Sequence, residues 1–153
     1  MSEEPFALRR AKQDDVVAIR ALTRAAYAKW IPVLGREPMP MQVDYEHALR
    51  EHMIDMLVYG DALAGLIEMK SEAHYLLIVN VAVLPALQKR GLGGSLLAHA
   101  EEIATALGMA ELRLYTGKLM VENIRLYQRI GYFVYREEPF KDTTTIHMKK
   151  LIR

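Results

Sequence analysis

Two hydrophobic periods alternate along this chain and predict its elements. Phe6 to Arg10 reads as a short first strand. Val16, Ile19, Leu22, Ala26 and Trp30 then recur at helical spacing, which buries one face of a helix. Asp14 or Asp15 starts that helix, with acid at the end the helix dipole favours. Pro32, Gly35, Pro38 and Pro40 break the period and predict a loop. A short helix from about Asp44 to His52 follows, with Asp44 as its cap. Met56 to Tyr59 and Ala62 to Lys70 read as a hairpin turned at Gly60-Asp61. Ser71-Glu72-Ala73 turns the chain again, and His74 to Leu84 is a nearly unbroken apolar run. Such a run predicts a central strand covered on both faces.

Beyond a glycine-rich turn, Leu96, Leu97, Ala100, Ile103, Ala104 and Leu107 form an apolar helical stripe that Gly108 ends. Leu112 and Leu114 alternate with Arg113 and Tyr115 and mark the next strand. A strand–helix–strand unit of this kind is expected to be parallel and right-handed. Residues 119–130 predict a further helix. Tyr132 to Arg136 and Thr143 to Leu151 predict two last strands, with Ile146 and Met148 inward against Thr145, His147 and Lys149. The expected fold is one α/β domain over residues 1–153, a mixed, mostly antiparallel sheet of about seven strands with helices on both faces.

Composition narrows what that domain does. A chain of 153 residues suits one domain with a sizeable core. Net charge near +1 gives no pull toward nucleic acid or an anionic membrane. The chain has no cysteine, which excludes disulfides, thiolate zinc sites and a cysteine nucleophile and is compatible with the cytoplasm. The start, Met-Ser-Glu-Glu-Pro, is acidic and does not read as a signal peptide. No apolar run is long enough to cross a bilayer. His47 and His52 lie five apart beside Glu46 and Glu51, which is not a same-face spacing. They read as residues of a surface helix, and no metal is expected.

The chemistry concentrates between Val81 and Leu97, reading VAVLPALQKRGLGGSLL. An apolar strand meets a proline, then a basic turn crowded with Gly91, Gly93 and Gly94, then a helix. Glycine permits positive φ and close approach of a ligand to the backbone. The first N–H groups of the helix lack internal partners and carry partial positive charge, so they favour phosphate. Gln88, Lys89 and Arg90 add donors and charge. The turn is not a P-loop, because no lysine follows the glycines. It is not a dinucleotide fingerprint, because the third glycine would fall at Leu96.

The pattern Gln88-x-x-Gly91-x-Gly93, directly after Val81-Ala82-Val83-Leu84-Pro85, resembles the acyl-CoA loop of the GNAT N-acetyltransferase superfamily. A second stretch, Asn123-Ile124-Arg125-Leu126-Tyr127 ending at Gly131-Tyr132, resembles that family's Asn-x-x-x-Tyr helix followed by Gly-Phe or Gly-Tyr. The resemblance spans most of the chain and is strongest over residues 76–133. It implies direct transfer of an acetyl group from acetyl-CoA to an amine of a small molecule or protein. A non-catalytic acyl-CoA-binding module on the same fold is the alternative, and a nucleotide-binding protein a weaker third.

Carried over residue by residue, the resemblance gives the pyrophosphate to Gln88, Lys89, Arg90, Gly91, Leu92, Gly93, Gly94 and Ser95. It gives the pantetheine arm to the backbone of Val81, Ala82 and Val83, where two strands splay at a bulge. Asn123 would bind the cofactor and order its helix, and Tyr127 would be the general acid. The glutamate that serves as base in histone-acetylating relatives is replaced by Leu77. Glu68, Glu72, His74 and a water held by Asn80 remain as candidates to take the amine proton. The insertion after the first helix, with Tyr27, Trp30 and Tyr45 beside it, would shape the acceptor pocket, although Trp30 also completes the helical stripe. Thr143 to Leu151 is expected to be a free sheet edge that invites a homodimer.

Overall fold

The computed structural model describes residues 6–152. The acidic start discussed above lies outside them. Seven strands form one sheet: β1 (Phe6–Arg10), β2 (Met53–Tyr59), β3 (Ala62–Ser71), β4 (Leu76–Val83), β5 (Glu111–Gly117), β6 (Phe133–Phe140) and β7 (Thr143–Leu151). Their order is β1-β2-β3-β4-β5-β7-β6. Among the described residues only the β4–β5 pair is parallel, so the sheet is mixed and mostly antiparallel. The helices are α1 (Val16–Tyr27), α2 (Ile31–Leu34), α3 (Tyr45–Glu51), α4 (Leu92–Ala106) and α5 (Val121–Ile130).

Helical stripes and strand alternation meet in two cores, one on each face of the sheet. Leu96, Leu97, Ala100 and Ala104 of α4 and Tyr127 of α5 pack on Ile67, Met69, Leu76, Leu112 and Met148. Val16, Ile19, Leu22 and Ala26 of α1, with Trp30, Tyr45 and Ala48, pack on Ile54, Met56, Leu66 and Ala82. Gly65 sets how closely α4 lies on the sheet. A Cβ there would stand 3.0 Å from the Ala82 carbonyl oxygen and 3.3 Å from Leu96 Cδ1. Gly65→Ala should therefore destabilise by about 1–3 kcal/mol, as overpacking does. A thermal melt checks this, with an unchanged Tm showing that α4 has room to move.

The structure departs from the expected boundaries where tertiary pairing overrides local pattern. β2 starts at Met53 rather than Met56, because Met53 to Asp55 pair with Met69 to Ile67. β4 starts at Leu76, which leaves His74 in the exposed turn before it. The loop predicted around the prolines contains α2 and a short 3-10 turn, Met39–Gln42, each with proline in its first turn, where a missing N–H costs nothing. β6 runs on to Phe140 because β7 pairs with it along its length. The free-edge expectation for Thr143–Leu151 is corrected: β7 lies between β5 and β6, with a partner on either side. The outer strand on that side is β6, where a register shift at Tyr135 and Pro139 blunt further pairing. Among the described residues no helix is long and apolar enough to cross a membrane.

Candidate functional site

The site starts from an irregularity in β4. Glu68 lies opposite Asn80, but Met69 lies opposite Ile78, so Val79 is one residue too many. Such a bulge switches the face to which later side chains point. Ile78 belongs to the core under α4, whereas Ala82 belongs to the core under α1. The pairing of β4 with β5 covers only Leu76 to Ile78 against Leu112 to Leu114. Beyond that the two strands diverge. The Leu84 amide bonds to Ala64 of β3, and antiparallel alternation then turns the polar groups of Val81 and Val83 to the open side. Their carbonyls are met there by side chains. The Tyr27 hydroxyl lies 3.2 Å from the Val81 oxygen, and Gln88 Nε2 donates to the Val83 oxygen at 2.9 Å.

Two cavities flank this split. One, of about 550 Å³, opens at the start of α4 and includes Val81, Ala82, Val83, Gln88, Gly91 and Gly93 in its wall. Gly91 caps α4 with a left-handed φ of 85°, and Lys89 is left-handed at 65°. Lys29, Lys89, Arg125 and Arg129 make this cavity basic, against one carboxylate, Glu122. Lys29 Nζ reaches Gln88 Oε1 at 2.9 Å and Glu122 Oε1 at 3.2 Å. That contact holds the Glu122 carboxyl below its usual range. The other cavity, of about 400 Å³, lies between β4, β5 and the α2–α3 segment. Its wall is mostly apolar, with Leu34, Met39, Ile78, Leu114 and Phe140. Arg36 and Asp142, paired at 2.9 Å, tie that segment to the β6–β7 turn.

The cavities share four residues: Tyr27, Val81, Asn123 and Tyr127. Asn123 and Tyr127 stand one turn apart on α5 and so face the junction together. The Tyr127 ring packs edge-on against Tyr132 with centroids 6.1 Å apart. Burial pushes its hydroxyl up to about 12, so it keeps its proton at neutral pH. Behind the junction lies a buried polar cluster. The Tyr27 hydroxyl is 2.7 Å from Asn80 Oδ1, Asn80 Nδ2 donates to the Tyr45 hydroxyl at 3.3 Å, and that hydroxyl donates to the Pro40 carbonyl at 2.9 Å. Glu68, next to Asn80 across the strands, bonds His52 Nδ1 through Oε2 at 2.6 Å, and burial raises its carboxyl.

Most of the residues carried over from the sequence meet at these cavities. Arg90, Leu92 and Ser95 do not line them. Arg90 is exposed, Leu92 packs on the core, and the Ser95 hydroxyl donates to the Gly91 carbonyl at 3.2 Å. His74 is exposed, and His74, Glu68 and Glu72 all lie outside both walls. Trp30 is buried in the core and also borders the larger cavity, whereas Tyr45 borders neither and supports Asn80. His52 is not the plain surface residue that its spacing suggested, because its ring folds onto Glu68. Sequence reasoning also missed Lys29, Glu122, Arg125 and Arg129. The last three recur along one face of α5, a signal that was legible, whereas Lys29 arrives only through the packing of α1.

Known proteins resemble this chain in sequence pattern and in fold. The pattern of the acetyltransferase (GNAT) family matches residues 18–132. An uncharacterized N-acetyltransferase, YvbK of Bacillus subtilis strain 168, is 38% identical over 74 residues, 48% of this chain and 48% of that protein. The chain thus matches about half the length of this curated relative. The PaiA N-acetyltransferase of Thermoplasma acidophilum, solved with coenzyme A, superposes with a TM-score of 0.80 at 19% identity over 99% of both chains. The ribosomal-protein-S18-alanine N-acetyltransferase of Escherichia coli does so with a TM-score of 0.78 at 19% identity, over 96% of this chain and 94% of that one. At such identities the superpositions speak for the fold. With the family pattern covering most of the domain, from α1 to Tyr132 just past α5, the chain belongs to the GNAT acetyltransferase family.

Proposed function

We propose that this protein is an acetyl-CoA-dependent N-acetyltransferase that acetylates a primary amine directly. The observation that carries this reading is the meeting of two cavities at the unpaired stretch of β4, beside the Tyr127 hydroxyl. The residues present fit acetyl-CoA. The free N–H groups at the start of α4 and the basic side chains Lys29, Lys89, Arg125 and Arg129 suit a pyrophosphate. The amide groups of Val81 and Val83 suit the amides of a pantetheine arm. Bound acetyl-CoA supplies a thioester carbonyl open to attack by an amine.

The chain's own residues do the rest. The β4 backbone orients the arm and polarises the carbonyl. Tyr127 holds a proton at its hydroxyl for the departing sulfur, whose affinity for it lies near that of an ordinary thiol, about 8.5. Asn123 helps to orient Tyr127 and the arm. The smaller cavity, whose wall is mostly apolar, takes the acceptor. A screen of amines, polyamines, aminoglycosides, amino acids and peptides for thiol release from acetyl-CoA tests this reading. Release that depends on one acceptor class is expected. Tight acetyl-CoA binding with no turnover across the panel would favour a non-catalytic acyl-CoA-binding module.

A further inference from the structure

The polar cluster behind the cavities contains more ionisable chemistry than packing requires. Glu68 is 1% exposed, and although Oε2 bonds His52, Oε1 is buried with no hydrogen-bond partner among the described residues. A buried carboxyl oxygen without a partner is costly. Glu68 and Asn80 are directly paired across β3 and β4, so their side chains share a face about 5 Å apart. Asn80 in turn contacts the hydroxyl of Tyr27, which borders both cavities. The His52 side chain, at the end of α3, is 21% exposed and reaches solvent.

We propose that Glu68 and His52 are a proton outlet, a relay that carries the acceptor's proton from the cavity junction to solvent at the end of α3. The inference rests on the acetyltransferase reading. An acceptor ammonium must lose one proton before its nitrogen attacks. That proton moves through water held by Tyr27 and Asn80 to Glu68 Oε1. Glu68 passes a proton from Oε2 to His52 Nδ1, and His52 releases one from Nε2 to solvent. When the C–N bond forms and the C–S bond breaks, Tyr127 protonates the sulfur, and the second amine proton restores Tyr127. One proton reaches solvent per turnover. Burial raises the proton affinity of Glu68 toward that task. The groups facing it are Tyr27 from α1, Tyr45 from α3, His52 and, from β5, Tyr115. Lys70, two residues along β3, is engaged with Glu72 at 3.4 Å. Glu68 and His52 act through other groups and are positioning residues.

The test uses the best amine from the screen and profiles of kcat/KM against pH. Glu68→Gln keeps the shape and a hydrogen bond to His52 but cannot carry a proton. Its rate at neutral pH should fall about 10²–10⁴-fold, the usual range of proton-transfer assistance. Its acid limb should move toward the acceptor's own pKa, so the deficit shrinks as pH rises. His52→Ala should lose less and recover with added imidazole. In the ligand-free protein, the infrared band of a protonated carboxyl should persist above the ordinary carboxylate range and vanish in Glu68→Gln. A profile for Glu68→Gln that is unshifted, or only scaled down with its limb in place, overturns the relay. A parent that acetylates no amine overturns the acetyltransferase reading, and the relay with it. An active parent with an unshifted variant overturns the relay alone.

Discussion

Tyr127→Phe is expected to lose about 10²–10⁴ in kcat, the usual contribution of a positioned general acid, with little change in Tm or in affinity for acetyl-CoA. The ring stays, so its packing against Tyr132 and the α4 side of the core survives. Only the proton donor is removed. At neutral pH that donor is fully protonated, because burial holds the hydroxyl up near 12. A loss confined to kcat marks an interaction made chiefly in the transition state. The measurement is steady-state kinetics where chemistry limits turnover, with a melt of each protein alongside. A variant as fast as the parent would refute the acid role. One that melts many degrees lower would make Tyr127 primarily a core residue.

Gly93→Val should cost about 100-fold or more in affinity for acetyl-CoA and CoA, and the fold should survive. Gly93 sits in the first turn of α4 with ordinary helical φ, and a Cβ there would meet only Leu126 Cδ2 at 3.6 Å. The folded chain thus tolerates a side chain that the ligand would not. Two or more hydrogen bonds from backbone N–H to an anion are at stake, each worth about 1.5–3 kcal/mol. Each 1.4 kcal/mol is a factor of ten in Kd. Calorimetry measures the affinity, and circular dichroism checks the fold. Unchanged affinity with intact helicity would move the pyrophosphate away from the start of α4.

The sheet and its two cores were legible because each rests on a local period. Ile19, Leu22 and Ala26 of α1 and Leu96, Leu97, Ala100 and Ala104 of α4 carry stripes that can be buried only against a sheet. Leu112 and Leu114, like Ile146 and Met148, alternate as half-buried strands do. The glycine turn was legible for a different reason. Three glycines beside a helix start mark a turn that needs special backbone freedom, and Gly91 does cap α4 with a left-handed φ of 85°.

Pairing was not local, and there the sequence fell short. Thr143–Leu151 reads as an edge when taken alone, yet it lies between β5 and β6, because a strand's neighbours are chosen by the whole sheet. The same holds for the site. Nothing in Leu76-Leu77-Ile78-Val79-Asn80 marks Val79 as the extra residue that turns Asn80 toward Tyr27. Nothing in the spacing of His52 and Glu68, sixteen residues apart, places them 2.6 Å from each other. By itself the sequence determined the elements, the two cores and a glycine-rich turn at a helix start, since these follow from periodicity and from residues with special backbone freedom. Only the tertiary structure decided which residue of β4 is the extra one, the meeting of two cavities at Tyr127, and the burial of Glu68, because those depend on register and on contacts between residues far apart in the chain.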